Sequence, residues 1–328
     1  MATDGALMTR PKRTLVTGAG GFVGANLLRR LVQDGHRVTG VLGPAGDRWR
    51  LNGMEDRAEL VDVDLRDQDA LRRLVHRVAP EWTFHLAAHG AYSWQNDARR
   101  ILDTNLMATV GLIDVCRETG CDAFVHAGSS SEYGIKDHAP SEEELAEPNS
   151  RYAVAKAAAT LFCRYVAQYE DFPAVTLRLY SVFGPYEDPR RLVPAVVMRA
   201  RHNELPPLVA PEVARDFVWV DDVVEALVLA AEAAGDRRGT IYNVGSGVQT
   251  SMAELVDIAR RVLDIDADPI WGSMAGRAWD ATSWVADNRR IGAELGWRPR
   301  TDLAEGLRRT AAWLSARNGQ WQGQPVAS

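Results

Sequence analysis

The sequence predicts an α/β protein, a doubly wound parallel sheet followed by a smaller C-terminal α/β lobe. Three observations carry this expectation. Short β-rich runs alternate with segments that repeat apolar residues at helical spacing, the pattern that buries a parallel sheet between two helix layers. A glycine-rich stretch, Thr17 to Gly24, stands between the first such run and the first helical segment. After Tyr180 the texture changes, with prolines at 185, 189, 194, 206, 207 and 211.

Taken in order, Thr14 to Thr17 is an apolar strand and Phe22 to Val32 a helix that Gly35 ends. Arg37 to Leu42 and Leu60 to Val63 read as the second and third strands. Leu71, Leu74, Val75 and Val78 form a helical stripe. Trp82 to Ala87 is strand-like, Ile101 to Cys116 helical, and Ala123 to Ala127 strand-like again. Beyond Tyr180 the clearest helices are Asp221–Ala234 and Met252–Leu263. We expect a sheet domain over 12–180, a smaller lobe over 181–315 with some chain exchange, a disordered leader over 1–11 and a flexible tail over 316–328.

Composition narrows the function. The 328 residues are 46% hydrophobic and 25% charged, ordinary values for a globular chain. A net charge of −6 argues against a nucleic-acid partner, which needs a basic face. No apolar run reaches the roughly 20 residues of a membrane span, and the N-terminus lacks the apolar core of a secretory signal. Three cysteines are too few for a disulfide framework, so the expected address is cytoplasmic and reducing. His85 and His89 have no clustered Cys or acid to complete a ligand set, so no metal is expected.

The glycine stretch has a chemical reading. Glycines 18, 21 and 24 let the backbone turn tightly, approach a pyrophosphate and pack helix against strand. The amides of the helix start, at Phe22 and Val23, then face the phosphates. The second strand ends without the acid that usually binds a ribose, and Arg48 or Arg50 could meet a 2′-phosphate instead, so NAD and NADP both stand, with tightly held NAD preferred. Asp64 and Leu65, after the third strand, are placed to border the adenine.

Tyr152 and Lys156 share one face of a helix at i and i+4. A lysine charge about 4 Å from the phenol, at a dielectric of about 20, is worth ~4 kcal/mol, which brings the tyrosine from about 10 to about 7. There it can exchange a proton with a hydroxyl. Ser129, at the end of the fifth strand, could hydrogen-bond the same oxygen.

These stretches occur in a fixed order with His85-Leu86-Ala87-Ala88, Gly128-Ser129-Ser130-Ser131-Glu132-Tyr133-Gly134, Arg215-Asp216-Phe217-Val218-Trp219-Val220-Asp221-Asp222 and Asn243-Val244-Gly245-Ser246-Gly247. The set resembles the extended short-chain dehydrogenase/reductase family, in its nucleotide-sugar epimerase/dehydratase branch, over roughly residues 12 to 315. The resemblance implies a Rossmann-type domain and a nucleotide-sugar-binding lobe. It implies Tyr152 as acid/base, Lys156 on the nicotinamide ribose, Ser129 beside the reacting hydroxyl, and Leu86, Ala87 and Ala88 lining the cofactor. Arg215 and Arg277 match arginines used on the substrate's nucleotide and diphosphate, and Arg191 is a further substrate candidate. A nucleotide-diphosphate sugar and a second copy of the chain are the implied partners.

The activities of this branch share C4 oxidation by the Ser/Tyr/Lys group and differ afterwards. A 4-epimerase needs no further acid, and it is the leading expectation. A 4-keto-sugar reductase would use the same group with NADPH. A 4,6-dehydratase needs a carboxylate beside Ser129; the matching places hold Ser130 and Ser131, and only a one-residue shorter loop would bring in Glu132. Two departures mark the sugar side. Ser181 replaces the usual asparagine, and the loop from His89 to Trp94 is aromatic, with His89 and Tyr92 as candidate contacts. A cofactor-binding protein without catalysis is the remaining alternative, and the retained Tyr152 and Lys156 argue against it.

Overall fold

The computed structural model describes residues 10–44, 46–92, 94–276 and 280–317. Most of the expected leader, and the tail from 318 onward, lie outside the described residues. Chain order in the first half is β1 (Arg13–Thr17), α1 (Phe22–Gln33), β2 (Arg37–Leu42), β3 (Glu59–Asp62), α2 (Gln68–Val78), β4 (Trp82–His85), α3 (Ala98–Leu102), α4 (Ala108–Thr119), β5 (Ala123–Ser129), α5 (Arg151–Tyr169) and β6 (Ala174–Leu179). The second half adds β7 (Ser181–Phe183), α6 (Leu192–Ala200), β8 (Ala214–Arg215), β9 (Phe217–Trp219), α7 (Val220–Ala233), β10 (Ile241–Val244), β11 (Thr250–Ser251), α8 (Met252–Leu263), α9 (Arg289–Leu295) and α10 (Leu303–Ser315).

Seven parallel strands form the main sheet in the order β10-β6-β5-β4-β1-β2-β3. The order reverses between β1 and β4, the switch point where open α/β sheets leave a crevice for ligands. Leu27, Leu28 and Leu31 of α1 and the apolar face of α7 cover one side of the sheet. Leu71, Leu74 and Val75 of α2 cover the other, with α4 and α5. A third apolar cluster, from α6, α8, α10 and Phe183, is the core of the smaller lobe. The seventh strand and α7 come from beyond residue 180, so the chain returns to the main sheet after its first excursion.

Two local differences from the sequence reading have clear causes. The fourth strand stops at His85 rather than Ala87, because the Leu86 and Ala87 amides donate to Thr17 and the chain leaves the sheet there. The expected single helix from Ile101 to Cys116 holds a π-helical turn, Asp103–Met107, between α3 and α4. Inside that turn Asn105 is 1% exposed. Its side chain clasps the main chain of His89, accepting from the amide at 2.9 Å and donating to the carbonyl at 2.6 Å. Single π turns often sit where a helix serves a site.

Candidate active site

The glycine turn fits a dinucleotide on its own geometry. Gly18 has φ +71°, and a Cβ there would stand 2.7 Å from the Ala87 nitrogen. A Cβ on Gly24 would stand 2.2 Å from the Gly18 carbonyl oxygen, and one on Gly21 at 3.0 Å from the same atom. Only glycine permits this close approach of β1, α1 and the strand-four loop. The start of α1 carries no side-chain cap and no acid in its first turn, so its amides at Phe22 and Val23 are open to an anion. Leu86 and Ala87 are part-buried across the crevice and Ala88 is exposed. Leu65 is 7% exposed, and Asp64 is held low by its bonds to Arg66. Arg48 is engaged at 2.5 Å with Asp62, the last residue of β3.

Ser129 closes β5, and Tyr152 is the second residue of α5, whose first turn is capped by the Ser150 hydroxyl accepting from the Ala153 amide at 3.1 Å. The Ser129 hydroxyl acts on the Tyr152 phenol and bonds to the Ser131 hydroxyl at 2.8 Å. Tyr152 keeps some surface exposure, yet its hydroxyl end is desolvated. That burial pushes the phenol up to about 12, with Ser129 pulling it down, Glu132 pushing it up and Arg191 pulling it down.

This corrects one step of the sequence argument. The charges that act most on the phenol are Glu132 and Arg191, not Lys156. Lys156 is 2% exposed and turns its ammonium to His126, Nζ to Nε2 at 3.2 Å. Burial lowers it to about 8, against a pull upward from Glu132. Spacing of i and i+4 places two residues on one helix face. It does not decide which partner a long flexible side chain chooses.

Glu132 is also corrected. It is wholly buried, and every contact is internal. One carboxylate oxygen accepts from the Ser129 amide at 2.8 Å and the Thr160 hydroxyl at 3.1 Å; the other accepts from Arg178 Nε at 2.8 Å. With Ser129 it forms a capping box on the Ser130–Tyr133 turn. It holds that turn in shape and is closed to a substrate. Ser130 is 6% exposed, so Ser129 and Ser131 are the more open hydroxyls of the run.

On the sugar side the two candidates from one loop diverge. Tyr92 faces Arg191, whose guanidinium lies 4.7 Å from its ring centre, and acts on Asp188. Burial raises the Asp188 carboxyl, but its bonds to Arg190 and Tyr92 win and hold it at about 2. His89 lies instead among Arg100, Asp97 and Arg66, and burial lowers it. The Arg191 charge acts on Tyr152, Tyr92 and Glu187 alike. Glu187 is 8% exposed, and burial pushes it up to about 8 while Arg191 and Arg50 pull it down. Sequence reasoning missed Glu187 and Asp188. Their only signal was an acidic pair inside a proline-rich loop.

Ser181 donates its amide to the Asp216 carbonyl at 2.9 Å, which ties β7 to the Arg215 stretch. Arg215 pairs with Asp280 at 2.7 Å and stacks 5.5 Å from the Trp284 ring. Asp216 is wholly buried and accepts from the Ser246, Gly247 and Ala286 amides and the Ser246 hydroxyl. A Cβ on Gly245 would meet that carboxylate at 2.7 Å, which explains the glycine. Two of the quoted motifs therefore meet through one side chain. Arg277 lies outside the described residues. A cavity of 330 Å³ lies elsewhere, between α7 and the 296–301 segment, and is lined by charged residues such as Arg30, Glu225 and Arg309. Tyr152 is not among the residues that line it. Among the described residues no group of three His, Cys, Asp or Glu is placed to hold a metal ion.

Residues 14–245 match the model of the NAD dependent epimerase/dehydratase family. A UDP-glucose 4-epimerase of Mycolicibacterium smegmatis is 33% identical over 92% of this chain and 98% of its own length. The solved UDP-glucose 4-epimerase of Thermotoga maritima, with UDP-glucose, superimposes with a TM-score of 0.83 at 26% identity, over 93% of this chain and 99% of that one. A dTDP-glucose 4,6-dehydratase of Streptomyces venezuelae, solved with NAD bound, gives 0.82 at 28% identity, over 94% of this chain and 98% of that one.

Proposed function

The chain belongs to the NAD dependent epimerase/dehydratase family, and from that premise we propose that it is a nucleotide-sugar 4-epimerase acting through transient oxidation at C4. It is a nucleotide-sugar-modifying enzyme that uses NAD. The observation that carries epimerisation over 4,6-elimination is the enclosure of Glu132. The turn beside Tyr152 then offers hydroxyls but no open carboxylate, and elimination needs a group that removes a carbon-bound proton.

In this reading Gly18, Gly21 and Gly24, with the amides at Phe22 and Val23, hold the pyrophosphate. Lys156 holds the nicotinamide ribose. When bound, NAD supplies a reversible hydride acceptor. Tyr152 takes the proton of the C4 hydroxyl and, once the sugar has turned and its other face has been reduced, returns the proton to that same oxygen, which Ser129 orients. A phenol held near 12 is almost wholly protonated at neutral pH and cannot accept a proton. The cation of Lys156 and that of Arg191 must act on it in the loaded site to bring it down. Arg191 and Tyr92 border the hexose, Arg215 meets the nucleotide and Arg277 the diphosphate. Arg48 is a weak candidate for a 2′-phosphate because Asp62 already engages it, which supports NAD over NADP.

The test is the interconversion of UDP-glucose and UDP-galactose by the purified enzyme. Tyr152→Phe should lose roughly 10²–10⁴ in kcat, the usual worth of general acid–base catalysis. A variant that kept full turnover would remove Tyr152 from this role. Release of NAD on denaturation, read by mass spectrometry, fits a closed redox cycle; an empty protein that oxidises NADPH with a 4-keto sugar would make it a reductase.

We also assign a homodimer and a cytoplasmic address. Exposed Leu102, Met107, Val154, Leu161, Tyr165 and Tyr169 lie on α3 to α5 and the turn between them, which supports a paired face there. Light scattering should give twice the chain mass, and Leu161→Glu should halve it. Three free thiols at Cys116, Cys121 and Cys163 agree with a reducing compartment. Among the described residues no helix is long and apolar enough to cross a membrane.

A further inference from the structure

We propose that His126 is the positioning residue of Lys156: its neutral Nε2 holds the ammonium at the sheet end of α5 and so sets where the lysine charge acts on the reacting groups. The proposal rests on the reading of Tyr152 and Lys156 above.

The argument begins in the strand register. Thr17, His85, His126 and Thr176 are partners across β1, β4, β5 and β6, so four polar side chains cross the middle of an apolar sheet at one level. All four are buried. Buried polar groups are costly unless bonded, and here the bonds fix the protons. Thr109 donates its hydroxyl to the Asn105 carbonyl at 2.8 Å, so it accepts from His85 Nε2 at 2.9 Å. His85 Nδ1 then accepts from the Thr17 hydroxyl at 2.7 Å. His85 is therefore neutral, and burial holds it at about 3.

The same logic fixes His126. An ammonium has donors only, so Nε2 of His126 must accept from Lys156. Nδ1 carries the proton, toward the Thr176 hydroxyl at 3.5 Å. The two rings stack, with centres 6.0 Å apart. Burial and Lys156 both hold His126 far below the usual histidine range. A neutral acceptor bonds the ammonium without cancelling its charge, whereas an aspartate at the same place would form a closed ion pair.

Composition adds an independent point. The chain has three lysines among 38 basic residues, at 12, 136 and 156. Lys156 is the deeply buried one, at 2% exposure. An arginine would be always charged and too broad for this place, while a lysine can be tuned. The titratable groups that face it are His126 and His85 from the strands, Glu132 from the turn and Cys163 from its own helix. Glu132 is already committed to Arg178. His126 is thus the partner left to hold the ammonium.

The experiment uses the full chain with its retained cofactor, labelled with ¹³C,¹⁵N-lysine. Three side-chain signals are expected, assigned with Lys12→Arg and Lys136→Arg. In His126→Phe the Lys156 midpoint should fall by about one pH unit or more, a tenfold change in the proton equilibrium. The alkaline limb of kcat should move down by the same amount, with KM changed less than about twofold. His126→Gln, whose carbonyl reaches the place of Nε2, should restore both. His126→Asn reaches only the place of Nδ1, so it should behave as the phenylalanine does and serves if that variant fails to fold. A Lys156 midpoint that stays put in His126→Phe or His126→Asn, or a glutamine no better than they are, overturns the proposal. The titration needs no substrate, so it stands or falls apart from the Tyr152→Phe result.

Discussion

Replacing Glu132 by glutamine separates a structural from a catalytic carboxylate. The side chain is fully enclosed, and Arg178, 5% exposed, is its ionic partner at 2.8 Å. Glutamine can still accept from the Ser129 amide and the Thr160 hydroxyl through one oxygen. Its amide nitrogen would then face Arg178 Nε, donor against donor, and the guanidinium would keep only the Glu142 carbonyl at 3.3 Å and the Tyr133 ring at 4.4 Å. Breaking one half of a buried pair costs about 3–5 kcal/mol. At the low end of 2–4 °C per kcal/mol, suited to a long chain, Tm should fall by roughly 6–10 °C. Calorimetry measures this, and turnover per folded molecule should stay within about tenfold. The double variant Glu132→Leu with Arg178→Met should recover most of the loss, because apolar replacements remove both charges together. If Glu132→Gln melted within about 2 °C of the parent and lost a hundredfold or more in turnover, the carboxylate would be a reacting group and the case for epimerisation over dehydration would fail.

Three further outcomes can be checked. Gly24→Ala places a Cβ 2.2 Å from a backbone oxygen, so it should cost roughly 1–3 kcal/mol and weaken NAD binding by about tenfold or more, measured by titration calorimetry. Glu187, raised by burial from 4.5 to about 8, binds more protons folded than unfolded between those values, so its contribution to stability is present below about 4.5 and lost as pH rises through about 8. Glu187→Gln should therefore raise Tm at pH 8 relative to the parent and change it little at pH 4.5, in a melt series across that range. Arg48→Ala should leave the ratio of NAD to NADP affinity within about threefold, because an exposed arginine already paired with Asp62 holds little in reserve for a 2′-phosphate.

The sequence by itself determined the parallel sheet, the glycine turn and the placing of Tyr152 and Lys156 on one helix. These depend on local rules: apolar period, the conformations glycine allows and the i, i+4 geometry of a helix. The same rules placed Ser129 at a strand end, and the family resemblance singled out Arg215. Tertiary structure alone decided partners. It gave Glu132 to Arg178, turned Lys156 toward His126, and sent Tyr92 and His89 to different sides of their loop. It returned α7 and β10 to the main sheet after the small lobe had begun, and it brought the acid of the Arg215-Asp216 motif onto the amides of the glycine motif thirty residues later. The reason is physical. Local period sets which face of an element is apolar, but a buried polar group bonds to whatever the neighbouring elements bring within reach, and that is known only once they have packed.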